Sequence, residues 1–179
     1  ALVHLLRRLD YRRFSVTLLT PEREGPLLRM IPEQVTVRHC HFTSDFAYGI
    51  GLNDFSDCTT IQRVIYRFGR KLLTLGSGER HNLVYDCAAC HINDLPKEHF
   101  DAVLDFRGYG SLTTTIGAQL DADFHAIWMH DERMEWLPLA MPYLKYYDKV
   151  FCVSESVKRR FDELAPAYTD KAETLYKVL

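Results

Sequence analysis

A chain of 179 residues, 47% of them apolar, is long enough for one domain with a full core or for one half of a larger enzyme. Lys and Arg number 22 against 24 Asp and Glu, and a formal charge of −2 excludes the broadly basic surface that nucleic-acid binding calls for. Five cysteines (Cys40, Cys58, Cys87, Cys90 and Cys152), odd in number and irregularly spaced, exclude a regular disulfide framework and fit a reducing cytosol, and no stretch approaches the roughly 18 apolar residues of a membrane span.

The chain opens on ALVHLLRRLD, which puts Leu2, Leu5, Leu6 and Leu9 on one helical face. FSVTLLT (14–20) is rich in β-formers, stops before Pro21 and reads as a strand. A short helix is expected around 25–31, ending at Pro32, and VTVRHCHF (35–42) reads as a second strand. Residues 43–58 hold Gly49, Gly51, Asn53 and Asp54 and read as a loop. TTIQRVIYRFGRKLLTL (59–75) is amphipathic, with Ile61, Val64, Ile65, Phe68, Leu72 and Leu75 on one side. Gly76-Ser77-Gly78 breaks it, and a further helix is expected over 79–92.

The second half is more regular. AVLDF (102–106), HAIWMH (125–130) and KVFCVS (149–154) are short apolar runs whose starts lie 23 and 24 residues apart, and TLYKVL (174–179) begins another 25 residues on. Helix-like segments fill the intervals at 111–121, 134–147 and 155–165. Strand and helix alternating at this interval is the pattern of βαβ units, and strands apolar on both faces imply a parallel sheet between helical layers. The expected class is α/β, a doubly wound, mainly parallel sheet with helices on both faces, in one compact unit over 1–179. A helix in such a fold follows a strand. An opening helix and a closing strand therefore lead us to expect a domain cut from a longer chain.

Open parallel sheets bind ligands beyond the carboxyl ends of their strands. The first such end carries Arg107-Gly108-Tyr109-Gly110-Ser111, the second His130-Asp131-Glu132-Arg133 and the third Ser154-Glu155-Ser156. Gly108 and Gly110 let the backbone turn sharply, and Ser111 or Thr113 could cap the next helix and favour an anion there. The same residues also suit an ordinary β-to-α turn. His130 beside Asp131 and Glu132 suits a general base or a hydrogen bond to a sugar hydroxyl, and equally a solvated acidic loop. No second His or Cys sits at metal-ligand spacing. Ser154 reads first as a plain helix N-cap.

Two further motifs stand apart. Arg63, Arg67, Arg70 and Lys71 share one face of the 59–75 helix, a solvated face or one suited to anionic lipid. Residues 87–91, CAACH, match the C-x-x-C-H string that attaches a c-type haem. A haem would also need a second axial ligand and a pocket. Leu83, Cys87, Cys90 and His91 recur at helical spacing instead, which fits a helix packing a narrow face.

The segments FDAVLDF, HAIWMHDE and above all YYDKVFCVSESVKRRF resemble the N-terminal domain of family-4-type glycosyltransferases of the GT-B fold, most strongly over 100–179. The final ETLYKVL is similar to the family's last strand of that domain, residues 1–20 are compatible with its first helix and following strand, and 43–92 match poorly. The resemblance implies the acceptor-side half of a retaining enzyme that uses a nucleotide-sugar donor in surface polysaccharide or glycolipid synthesis. Donor binding would fall mostly to a second, C-terminal domain, without which the fragment would be inactive. It further implies that His130 meets the transferred sugar or the acceptor, with Ser154 and Glu155 near it and Arg107, Gly108, Tyr109, Asp131 and Glu132 lining the acceptor side. No cofactor and no nucleic acid are expected. The implied setting is cytoplasmic, with peripheral contact at the inner face of the membrane. Two other classes stay open: a non-catalytic Rossmann-like binding or interaction module, and a haem carrier through Cys87, Cys90 and His91.

Overall fold

A computed structural model describes residues 1–20, 24–39, 95–108, 112–135 and 137–176. The expected loop at 43–58, the helices at 59–75 and 79–92, the CAACH string, Arg63, Arg67, Arg70, Lys71 and Tyr109 all lie outside the described residues.

The chain begins with α1 (Leu2–Arg8), which buries Leu6. β1 (Val16–Thr20) follows after a turn in which the Asp10 carboxylate accepts from the Arg12 amide at 3.1 Å. Where a short helix is expected around 25–31 there is one 3₁₀ turn, Leu28–Met30, tied to α1 by Arg7 Nη2 donating to the Met30 carbonyl at 3.2 Å. β2 (Val35–His39) pairs parallel to β1, from Val16 opposite Val35 to Thr20 opposite His39.

The second sheet contains β3 (Val103–Asp105), β4 (His125–Met129), β5 (Lys149–Cys152) and β6 (Ala172–Thr174), all parallel and in chain order across the sheet. The pairing sets Asp105 opposite Ile127, Ile127 opposite Val150, and Val150 opposite Ala172. Partners in a parallel register share a face. One face therefore carries Val103, Asp105, Ile127, Met129, Val150, Cys152 and Ala172, and the other Leu104, Ala126, Trp128 and Phe151.

The first of these faces holds the core. Ile127, Met129, Val150 and Cys152 pack against α3 (Leu137–Ala140), the 3₁₀ segment Met141–Tyr146 and α4 (Glu155–Leu164), through Leu137, Leu144, Val157 and Phe161, all buried. α2 (Leu112–Gly117) lies on the same face over β3, where Ile116 and Leu120 meet Val103 and Leu19. Burying each large side chain contributes about 1.5–3 kcal/mol, so this face carries most of the sheet's stabilisation.

Two expectations need correction. The helix expected over 134–147 is a four-residue α3 followed by a 3₁₀ segment. Pro142 has no amide to donate to residue 138 and its ring crowds that carbonyl, so an α-helix cannot run through it. Among the described residues the last strand is 172–174 and has ended by 175–176, where a strand over 174–179 was expected. The apolar Leu175 and Tyr176 that suggested the later position are 42% and 62% exposed, whereas Ala172 enters the core at 6%. Among the described residues no helix is long and apolar enough to cross a membrane.

Candidate functional site

Because β3, β4 and β5 are parallel neighbours in register, their carboxyl ends lie along one edge. Arg107, His130 and Ser154, the residues expected to converge there, each follow one of those ends.

The β3 exit is built around Asp105, a strand residue the sequence reading passed over. Its carboxylate is buried and accepts from the Arg107 amide (3.2 Å), the Gly108 amide (3.2 Å), Thr113 Oγ1 (2.9 Å) and Thr114 Oγ1 (2.7 Å). One side chain thus fixes both the Arg107–Gly108 turn and the first turn of α2. Burial pushes the Asp105 carboxyl above its ordinary value, while the Thr114 and Thr113 hydroxyls and the Gly108 and Arg107 amides pull it down. Tyr147 closes the site from the core side by donating to the Thr114 carbonyl at 2.8 Å, and burial, helped by the Asp105 charge, raises its phenol above the ordinary value. Thr113, offered together with Ser111 as a cap for the next helix, donates its hydroxyl to the Asp105 carboxylate, and Ser111 lies outside the described residues. The available signal was an acidic residue closing an otherwise apolar run ahead of a Gly turn and a Thr-rich helix.

Gly108 sits at φ +86°, and a Cβ placed there would come within 2.4 Å of the Trp128 carbonyl oxygen. The glycine is required twice over, for a left-handed backbone and for close approach to β4. His130 lies against the same turn: a Gly108 Cβ would stand 3.7 Å from its ring. His130 Nε2 donates to the Phe106 carbonyl, bridging the ends of β3 and β4. A carbonyl oxygen can only accept, so this bond places a hydrogen on Nε2. The ring is held edge-on by Phe106 (centroids 5.0 Å apart) and runs parallel to Trp128 at 6.4 Å. The structure thus brings Gly108, with Arg107 beside it, up to His130 and adds Phe106 and Trp128. The buried Trp128 Nε1 has no hydrogen-bond partner.

The other expected residues are more local. The Asp131 carboxylate accepts from the Arg133 amide at 2.8 Å and pairs with that guanidinium at 3.6 Å. Glu132 is exposed, and its carbonyl accepts from the Met134 amide at 3.0 Å. Ser154 is the N-cap of α4: its Oγ accepts from the Val157 amide at 3.3 Å and stands 2.9 Å from Ser156 Oγ. Glu155 lies in the first turn of α4 and is exposed. Cys152 is buried, and its thiol is pushed up to about 12 by desolvation, so it is no thiolate nucleophile. No group of three or more His, Cys, Asp or Glu is arranged for a metal among the described residues.

Chemically, the edge offers a histidine of fixed orientation between two turns, with an arginine on one of them. Such an arrangement suits recognition of hydroxyl and anionic groups more than nucleophilic attack. No family model and no curated protein matches the chain. The chain is an α/β protein, with a four-stranded and a two-stranded parallel sheet among the described residues.

Proposed function

We propose that the chain is the Rossmann-like, doubly wound acceptor-side half of a retaining GT-B glycosyltransferase, one that uses a nucleotide-sugar donor and a carbohydrate or glycolipid acceptor. The observation that carries the reading is His130 at the β4 carboxyl end, its Nε2 bonded to the Phe106 carbonyl beside the Gly108 turn. In this reading the His130 ring hydrogen-bonds a hydroxyl of the transferred sugar or the acceptor, and Arg107 meets anionic groups at the same rim. The resemblance of YYDKVFCVSESVKRRF to the family adds support, with Ser154 capping α4 at the neighbouring exit. The leaving diphosphate would be stabilised by the donor-holding domain, because transfer requires both partners to be positioned in one cleft.

The test is transfer of radiolabelled sugar by the full-length gene product, assayed across nucleotide-sugar donors with lipid-linked and polysaccharide acceptors. His130→Ala is expected to lower kcat/KM by about 100-fold or more, in the range of a lost positioned acid–base or hydrogen-bonding group, with an unchanged circular dichroism spectrum. Transfer at the wild-type rate by His130→Ala, or no transfer from any donor by the wild type, would remove the reading.

A further inference from the structure

Asp105 and His130 hold the two ends of one peptide unit. The Arg107 amide donates to the Asp105 carboxylate at 3.2 Å, and the Phe106 carbonyl accepts from His130 Nε2. That amide and that carbonyl belong to the same peptide bond, which is planar and resists twisting. The bond is trans, so the two groups point in opposite directions, and the plane cannot rotate without weakening both hydrogen bonds. The next unit is tied to the same side chain. The Gly108 amide donates to the Asp105 carboxylate at 3.2 Å. Thr114 Oγ1 lies 2.7 Å from Asp105 Oδ2 and 3.2 Å from the Gly108 carbonyl, and its single hydrogen can serve either.

We propose that Asp105 is a positioning residue for His130: through the 106–107 peptide it sets the place and angle at which the ring is presented to a ligand hydroxyl. Its effect on sugar transfer rests on the reading of His130 given above; its effect on the ring does not. Three observations carry this. First, the shared peptide makes the link mechanical, because a shift of the carboxylate moves the carbonyl that holds the ring. Second, the carboxylate is itself anchored in the core. Thr113 Oγ1 (2.9 Å) and Thr114 Oγ1 donate to it from α2, and Tyr147, fully buried, fixes α2 in turn by donating to the Thr114 carbonyl at 2.8 Å. The ring of a half-buried histidine at the rim is therefore referenced to the packed interior. Third, a β-to-α turn needs no acid for closure, since a neutral Asn or Ser closes one without burying a charge. A buried carboxylate loses its hydration, and here two amides and two hydroxyls replace it. Four donors on one side chain leave it little freedom to swing, which is the rigidity that holding a reacting group to within about 0.5 Å requires.

Asp105→Ala and Asp105→Asn, made in the full-length gene product, test this. Asn keeps an oxygen for the two amides, and its NH2 group can donate to Thr114 Oγ1, whose hydrogen then goes to the Gly108 carbonyl. Ala keeps none of these bonds. By NMR, the His130 Nε2 proton is expected to exchange with solvent about tenfold or more faster in Asp105→Ala than in the wild type, and Asp105→Asn to restore most of the difference. In the transfer assay, Asp105→Ala is expected to lower kcat/KM about tenfold or more, with most of the loss recovered in Asp105→Asn. In a His130→Ala background the same change is expected to cost less than about twofold, because a residue that acts through the ring then has nothing to place. Should Asp105→Ala not fold, Thr114→Val takes its place: it removes the Oδ2 donor at nearly constant volume, and faster Nε2 exchange and the same dependence on His130 are expected, at about threefold. Unchanged exchange of the Nε2 proton in the folded variant, or equal losses of transfer with and without the His130 ring, would overturn the proposal. If the wild type transfers no sugar while the Nε2 proton still responds to Asp105, the transferase reading falls and the positioning of the ring stands.

Discussion

Gly108 and Asp105 make the β3 exit what it is, and each gives a measurable outcome. In Gly108→Ala the new methyl group meets the Trp128 carbonyl at 2.4 Å on a backbone at φ +86°. We expect a loss of at least about 2 kcal/mol, since left-handed strain alone costs about 1–2 kcal/mol, read as a lower denaturant midpoint at unchanged slope. Asp105 has a raised folded-state value, so the native state holds its proton more tightly than the unfolded chain. Its contribution is therefore largest below the ordinary carboxyl value of 3.8 and declines as pH rises through the raised one. Asp105→Asn is expected to flatten that part of the stability–pH curve, and an unchanged curve would contradict the assignment. His99 is raised by Asp121 and then Asp123, whose carboxylates lie 3.2 and 3.3 Å from its two ring nitrogens. Its support for the fold is complete below 6.5 and disappears as pH climbs through the raised value. A proton NMR titration should find the His99 ring above 6.5 in the wild type and back at its ordinary value in Asp121→Asn/Asp123→Asn. Legibility at this scale was uneven. Gly108 and His130 could be singled out because a strand exit exposes them to notice in the sequence. Asp105 gave a fainter signal, because its partners, Thr113 and Thr114, come together with it only once α2 folds back over β3.

Elements were legible where one local preference dominated. α4 was expected at 155–165 and spans Glu155–Leu164, because Ser154 caps it and Val157 and Phe161 recur on one face. Ser154→Ala is expected to cost about 1 kcal/mol, the usual worth of such a cap, measured by thermal or urea unfolding; a change below a few tenths would show that Ser156 takes over. Where two preferences competed, the sequence misled. Leu137, Leu144 and Tyr147 lie on the buried side as helical periodicity required, but Pro142 converts the second part to 3₁₀ geometry. α2 is shorter than its expected 111–121 because β-branched Thr113, Thr114, Thr115 and Ile116 run into Gly117, a poor helix interior. β6 was displaced because its position is set from outside the strand. Lys171 donates to the carbonyls of Leu144 (3.2 Å), Lys145 (3.3 Å) and Tyr147 (2.6 Å), which fixes where the chain must enter the sheet.

At the scale of the whole molecule, the parallel second sheet followed from apolar runs at a regular interval, and its register explains why three turns separated by more than twenty residues share an edge. The separation of β1 and β2 from that sheet was not legible, because strand order leaves no trace in local periodicity. The helices following β3, β4 and β5 all lean on one side of the four-stranded sheet, and the buried side chains of α3 and α4 interlock through Ile127, Met129, Val150 and Cys152. Each of these strands thus inherits protection in proportion to its distance from a margin. Among the described residues β4 and β5 are flanked on both sides, and β3 and β6 on one. Denaturant would accordingly peel this sheet from its rims inward, and the pair that holds out longest carries His130 at the tip of one strand and Ser154 just beyond the other. The proposed sugar-contacting histidine is thus rooted in the slowest-opening part of the sheet, so thermal fraying elsewhere can proceed some way before the reacting geometry blurs.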